Sequence, residues 1–211
     1  MLSENLESII SQLEELTVSL FPEILNIYED KDFKTTHKKD GSPVTKADML
    51  GHKLILKFLT KHYPNIPVVS EESFEQKGYK PAKQFWIVDP IDGTKEFVNR
   101  SGEFTTNIAL IQNGSPVLGV VGAPALNKVW SGIATKQQSL ALPKKATLAG
   151  NDNAKLKIVM SKSHRTVVDT AFLSYLDKNN VKISIMSKGS SLKICALADN
   201  KADIYPRFGP T

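Results

Sequence analysis

The chain has 211 residues, 41% of them hydrophobic and 23% charged, with a formal net charge of +5. A chain of this length buries a substantial core as one domain or as two, and no stretch approaches the roughly 18 uninterrupted apolar residues of a membrane span, which excludes a transmembrane reading. The positive charge suits an anionic ligand, a small phosphate ester or a nucleic acid, but the lysines are scattered rather than gathered in blocks.

In chain order, Leu6, Ile9, Ile10, Leu13, Leu16 and Leu20 recur at helical spacing and predict an amphipathic packing helix, with Pro22 marking a kink or boundary near its end. Glu4, Glu7, Glu14 and Glu15 stand where a secretory signal would carry a basic start and an apolar run, so the expected compartment is the cytoplasm. After a polar stretch from Asp30 to Asp40, Thr45 and Asp48 have the spacing of a capping box, and Leu50, Leu54, Ile55, Phe58 and Leu59 continue helically to Pro64. Short apolar runs at Pro67 to Val69 and Phe85 to Val88 predict buried strands, each ending at acidic residues, with Pro90 stopping the second. Strands over 105–111, 117–123 and 129–134, separated by Asn113-Gly114 and by Pro124 to Asn127, read as an antiparallel meander.

The first unit, residues 1–135, is therefore expected to be α+β, helices on an antiparallel sheet. Residues 136–155 are polar and read as a linker. Residues 156–211 alternate strand (156–160), helix (166–176), strand (181–186), helix (190–199) and strand (202–205), which predicts an α/β unit with parallel strands. The single Cys195 forms no intrachain disulfide and rules out a cysteine-rich zinc site; with Trp86 and Trp130 it sits in an apolar pattern and reads as core.

The chemistry concentrates at Asp89-Pro90-Ile91-Asp92-Gly93-Thr94. With a proline ending the strand and a glycine freeing the backbone, Asp89, Asp92, the Ile91 carbonyl and the Thr94 hydroxyl can converge on one point, the hard-oxygen environment that magnesium takes. The alternative is a turn in which two Asp residues cap backbone amides. Glu71 and Glu72 end another strand and Asp48 begins a helix, where dipole compensation is its plain role. If these carboxylates meet, a bound cation is the economical way to hold them together.

Ser70-Glu71-Glu72-Ser73, Asp89-Pro90-Ile91-Asp92-Gly93-Thr94 and Pro43-Val44-Thr45-Lys46-Ala47-Asp48 resemble, in order and spacing, the metal-binding motifs of the inositol monophosphatase superfamily. Gly93-Thr94-Lys95-Glu96-Phe97, Gly102-Glu103-Phe104-Thr105 and the segment from Tyr205 to Thr211 are similar to its 3'(2'),5'-bisphosphate nucleotidase branch. The resemblance implies a layered αβαβα sandwich of the sugar-phosphatase type and two or three Mg2+ ions. Glu71, Asp89 and the Ile91 carbonyl would hold one ion, and Asp89 and Asp92 would share in a second. Asp48 and Thr94 would polarise the attacking water with Glu71 beside it, and Asp92, Gly93 and Thr94 would meet the phosphate. It further implies that His164, Ser190, Lys193 and Arg207 contact the nucleotide or its 5'-phosphate.

The expected reaction is hydrolysis of the 3'-phosphate of 3'-phosphoadenosine 5'-phosphate to AMP and phosphate, with lithium as an inhibitor. An inositol monophosphatase is the competing enzyme. The family's pattern continues past Arg207 with a Trp-Asp motif whose Asp ligates the second metal, whereas this sequence stops at Thr211, so either the molecule carries a tail beyond it or the sandwich is expected to lack its C-terminal end. A chain ending there is expected to bind that metal poorly and turn over slowly, or to act as a nucleotide-binding fragment. Nucleic acid is not expected as a partner, because no aromatic stacking motif is interleaved with the basic residues. A homodimer is expected by family analogy alone.

Overall fold

The apolar repeat at the N-terminus forms one helix, α1 (Leu2–Glu29), in the computed structural model, which describes residues 2–30, 35–37, 43–74, 82–134, 155–162 and 166–208. The helix runs through Pro22 instead of ending there. Leu20, Phe21 and Ile24 around the proline are all buried, and that packing outweighs the roughly 3 kcal/mol a proline costs inside a helix. Strands β1 (Thr35–His37) and β2 (Pro43–Thr45) then pair antiparallel, Thr35 opposite Thr45. They were not anticipated, since three-residue strands in a polar stretch leave no period to read.

Helix α2 (Lys46–His62) starts where its capping box places it, with the Thr45 amide donating to Asp48 Oδ2 at 2.7 Å and the Ala47 amide donating to Thr45 Oγ1 at 3.1 Å. Next come β3 (Val68–Ser70), β4 (Gln84–Asp92), the short helix α3 (Thr94–Val98), β5 (Thr105–Gln112), β6 (Ser115–Ala123) and β7 (Lys128–Ile133). They form a five-stranded sheet in the order β3-β4-β5-β6-β7.

The sheet is mixed, not purely antiparallel: β3 lies parallel to β4, while the other neighbours are antiparallel. Thirteen residues, 71–83, separate β3 from β4, and a connection of about a dozen residues permits a parallel crossover that a tight hairpin would forbid. Pro90 does not stop β4 either. The register shifts between Asp89 and Asp92, and a proline, having no amide to give the ladder, is tolerated at such a bulge.

Side chains alternate along β4. Trp86 and Val88 are buried among Leu13, Leu20 and Ile24 of α1, Ile55 and Leu59 of α2, and Ile108, Leu110, Leu118 and Val120 of the sheet, while Ile87 is 45% exposed. By that period-2 rule Asp89 lies on the face turned away from the helical layer. Among the described residues no helix is long and apolar enough to cross a membrane.

The chain divides into two compact units, Met1–Ser139 and Leu140–Thr211. Of the stretch read as a linker, only Lys155 is among the described residues. In the second unit β8 (Leu156–Ser161) pairs parallel with β9 (Ile183–Lys188), accompanied by α4 (Val167–Lys178) and α5 (Leu192–Ala198). Ile158, Met160 and Leu176 form one small core, and Val159, Ala196 and Ala202 another. The strand expected over 202–205 is reduced to a single parallel bridge between Ile158 and Ile204. Trp86 and Cys195 are buried as expected, but Trp130 is only half-buried on the sheet-edge strand β7, with Lys128 Nζ 4.5 Å above its ring.

Candidate active site

Three segments distant in sequence deliver carboxylates to one neighbourhood of the first unit: the start of α2 (Asp48), the end of β3 (Glu71, Glu72) and the end of β4 (Asp89, Asp92). Asp48 is 1% exposed. Its Oδ2 accepts from the Thr45 amide and from Thr45 Oγ1 at 2.6 Å, and its Oδ1 faces Thr94 Oγ1 at 3.3 Å. Burial raises its carboxyl above the ordinary value, against the lowering effect of the Thr45 hydrogen bonds and with a smaller push from Glu72.

Around Asp89 the bulge turns the chain. The Pro90 carbonyl is pinned by Thr106 Oγ1 at 2.8 Å, and the Ile91 carbonyl faces Thr94 Oγ1 at 3.1 Å. Gly93 has φ 89° and ψ 44°, a left-handed conformation that would cost an L-residue roughly 1–2 kcal/mol, and it caps α3. Behind the turn, Phe97, Phe104 and Tyr28 form a triangle of rings with centroids 4.8 to 5.1 Å apart, which anchors α3 to α1. Gly51 of α2 lies against the turn: a Cβ there would stand 3.2 Å from Pro90 Cβ.

Asp89 is the electrostatic centre. Its carboxyl is pushed up to about 9, first by burial, then by the charges of Glu71 and Asp92, by a hydrogen bond shared with Glu71, and by Asp48. Its Oδ1 is buried and has no hydrogen-bond partner. Glu71 is exposed and Asp92 half-buried. Among the described residues no three His, Cys, Asp or Glu side chains are gathered tightly enough to ligate one ion as they stand. An orphaned carboxylate oxygen within a set of hard oxygen donors fits a divalent cation of the magnesium type, whose charge would reverse each of these penalties.

Of the residues singled out from the sequence, Asp48, Glu71, Asp89, Ile91, Asp92, Gly93 and Thr94 thus come together in the first unit. In the second unit Ser190, Lys193 and Arg207 are linked through Tyr205. Lys193, 8% exposed, donates from Nζ to the Ser190 carbonyl at 2.6 Å and lies 5.9 Å above the Tyr205 ring, and Arg207 Nη1 donates to Tyr205 Oη at 3.2 Å. Ser190 is buried with φ 46°, and its Oγ accepts from the Leu192 amide at 3.3 Å. His164 lies outside the described residues. Thr106 escaped the sequence reading. Its strand alternation marks it as buried, but nothing in sequence pairs its hydroxyl with a carbonyl sixteen residues away.

Known proteins similar to this chain show its family. CysQ, the 3'(2'),5'-bisphosphate nucleotidase of Salmonella typhimurium, is 41% identical over 192 residues, 89% of this chain and 76% of its own length. The Shigella flexneri CysQ is 40% identical over the same shares. The crystal structure of CysQ from Bacteroides thetaiotaomicron, a bacterial member of the inositol monophosphatase family, superposes with a TM-score of 0.74 at 34% identity, covering 97% of this chain and 81% of that one. The model of the inositol monophosphatase family matches residues 5–211, and this chain belongs to that family.

Proposed function

We propose that the protein is a magnesium-dependent 3'(2'),5'-bisphosphate nucleotidase that removes the 3'-phosphate of 3'-phosphoadenosine 5'-phosphate to give AMP and phosphate. The observation that carries the reading is the buried, unpartnered Asp89 Oδ1 in the field of Glu71, Asp92 and Asp48, on a chain about 40% identical to enzymes named for that activity. Glu71, Asp89, Asp92 and the Ile91 carbonyl would hold Mg2+, two or three ions in all. When bound, the cations make water a nucleophile near neutral pH and neutralise charge on the attacking and leaving oxygens.

The chain's own residues do the rest. Asp48 Oδ1 accepts a hydrogen bond from the Thr94 hydroxyl, which leaves a lone pair of Thr94 Oγ1 to take a hydrogen bond from the attacking water and orient it. Two donors from Thr45 hold Asp48 in place, so the relay is fixed before substrate arrives. The Asp92-Gly93-Thr94 turn offers backbone amides to the phosphate, and Gly93 lets the chain approach closely there. Lys193 and Arg207 supply charge-assisted bonds that a second phosphate can use and a monophosphate cannot.

A phosphate-release assay on 3'-phosphoadenosine 5'-phosphate and on inositol 1-phosphate, each with and without magnesium, tests the reading. The expected result is turnover of the nucleotide only when magnesium is present. Preference for the inositol ester would give the chain to the competing phosphatase, and release unaffected by chelation would remove the metal from the reaction.

A further inference from the structure

The face of α2 that begins with Asp48 continues one turn later with His52, whose Nδ1 lies 2.8 Å from Ser70 Oγ. Residues four apart share a helix face, so Asp48 and His52 look the same way, with Gly51 between them against Pro90. That face, which carries Asp48, therefore touches both of the other acid-bearing segments: Asp48 and Gly51 meet Thr94 and Pro90 of the turn at the end of β4, and His52 meets the residue directly before Glu71.

The third contact has the most to hold. β3 is three residues long and lies at the sheet's edge, where among the described residues β4 is its one strand partner. Its ladder runs out at the bond from the Glu71 amide to the Val88 carbonyl, 3.0 Å. Ser70 is 1% exposed, so its hydroxyl has no recourse to bulk water, and the imidazole supplies a partner.

We infer that His52 is a positioning residue for Glu71: through Ser70 it fixes the end of β3 against α2, and so sets where the Glu71 carboxylate stands relative to Asp89. The inference rests on the metal reading above, and concerns how tightly the cation is held, not the chemical step. Groups that orient a metal's ligands commonly govern metal affinity by about ten- to a hundredfold without touching the ion.

The test is titration of MgCl2 into the full chain by calorimetry, alongside the magnesium concentration for half-maximal phosphate release. In His52→Ala the ion's dissociation constant and the half-activation concentration are expected to rise together by about tenfold, while kcat at saturating magnesium falls less than about twofold, since no group in contact with substrate has been altered. His52→Asn, which returns an amide near the position of Nδ1, is expected to recover most of the affinity.

Ser70→Ala removes the same bond from the other side and serves if the histidine variants fold poorly. It should match His52→Ala, and the double variant should be no worse than either single one. An unchanged dissociation constant in folded His52→Ala or Ser70→Ala, with only the melting temperature lowered, would overturn the inference and leave the bond purely structural. Absence of magnesium binding by the unaltered chain would instead refute the metal reading, and the inference with it.

Discussion

Burial of Asp89 beside Glu71 and Asp92 pushes its carboxyl from an ordinary value of 3.8 up to about 9, so the metal-free protein carries a proton there at neutral pH. The folded state then binds more protons than the unfolded state between those two values, and linkage requires stability to fall as pH rises through that window. Denaturant unfolding of the chelated protein is expected to give full stability near pH 4, declining toward pH 9, with saturating magnesium removing most of the slope because the ion displaces the proton. Asp89→Asn takes away the charge but keeps the shape. It should flatten the pH dependence of the metal-free protein and raise its melting temperature, abolish stabilisation by magnesium, and lower phosphate release by at least about a hundredfold. An Asn variant that melts lower than the parent in chelator would mean that Asp89 is structural.

At the scale of elements, the capping box that starts α2 also locks a catalytic candidate. Thr45 Oγ1 donates to Asp48 and accepts from the Ala47 amide, so one hydroxyl serves both helix and site. Thr45→Ala is expected to cost about 1 kcal/mol in unfolding free energy and to reduce turnover more than that loss of stability explains, because Asp48 would lose one of its two donors from Thr45. Thr45→Ser should restore both.

This cap was legible in sequence because a capping box is a local signal, as were the meander from Thr105 to Ile133 and the β8–α4–β9 alternation, each carried by a short-range period. What escaped depended on partners far away in the chain. Pro22 and Pro90 were read by intrinsic propensity, but packing against the sheet overrode the first and a bulge accommodated the second. The parallel pairing of β3 follows from its crossover and not from its three residues. Asp48, Glu71, Asp89 and Asp92 could be named from their motifs, whereas the supporting bonds from Thr106 to Pro90 and from His52 to Ser70 link residues 16 and 18 positions apart that no motif joins.

At the scale of the molecule, every carboxylate assigned to the metal lies in the first unit, whereas Ser190, Lys193 and Arg207 belong to the second. Metal and nucleotide should therefore leave different footprints in amide hydrogen exchange, which reads local opening segment by segment. Binding only stabilises segments whose opening breaks the site, so magnesium alone is expected to slow exchange at the start of α2 and across the β4 bulge and α3, leaving α4 and β9 unchanged. Adding AMP with magnesium should extend protection to 189–193, where Lys193 already closes on the Ser190 carbonyl. If AMP protected only the first unit, Lys193 would hold its own loop and contribute nothing to the nucleotide. Specificity for a bisphosphate would then have to arise beside the carboxylates themselves, where a second anionic group meets repulsion from any carboxylate that the cations leave unneutralised.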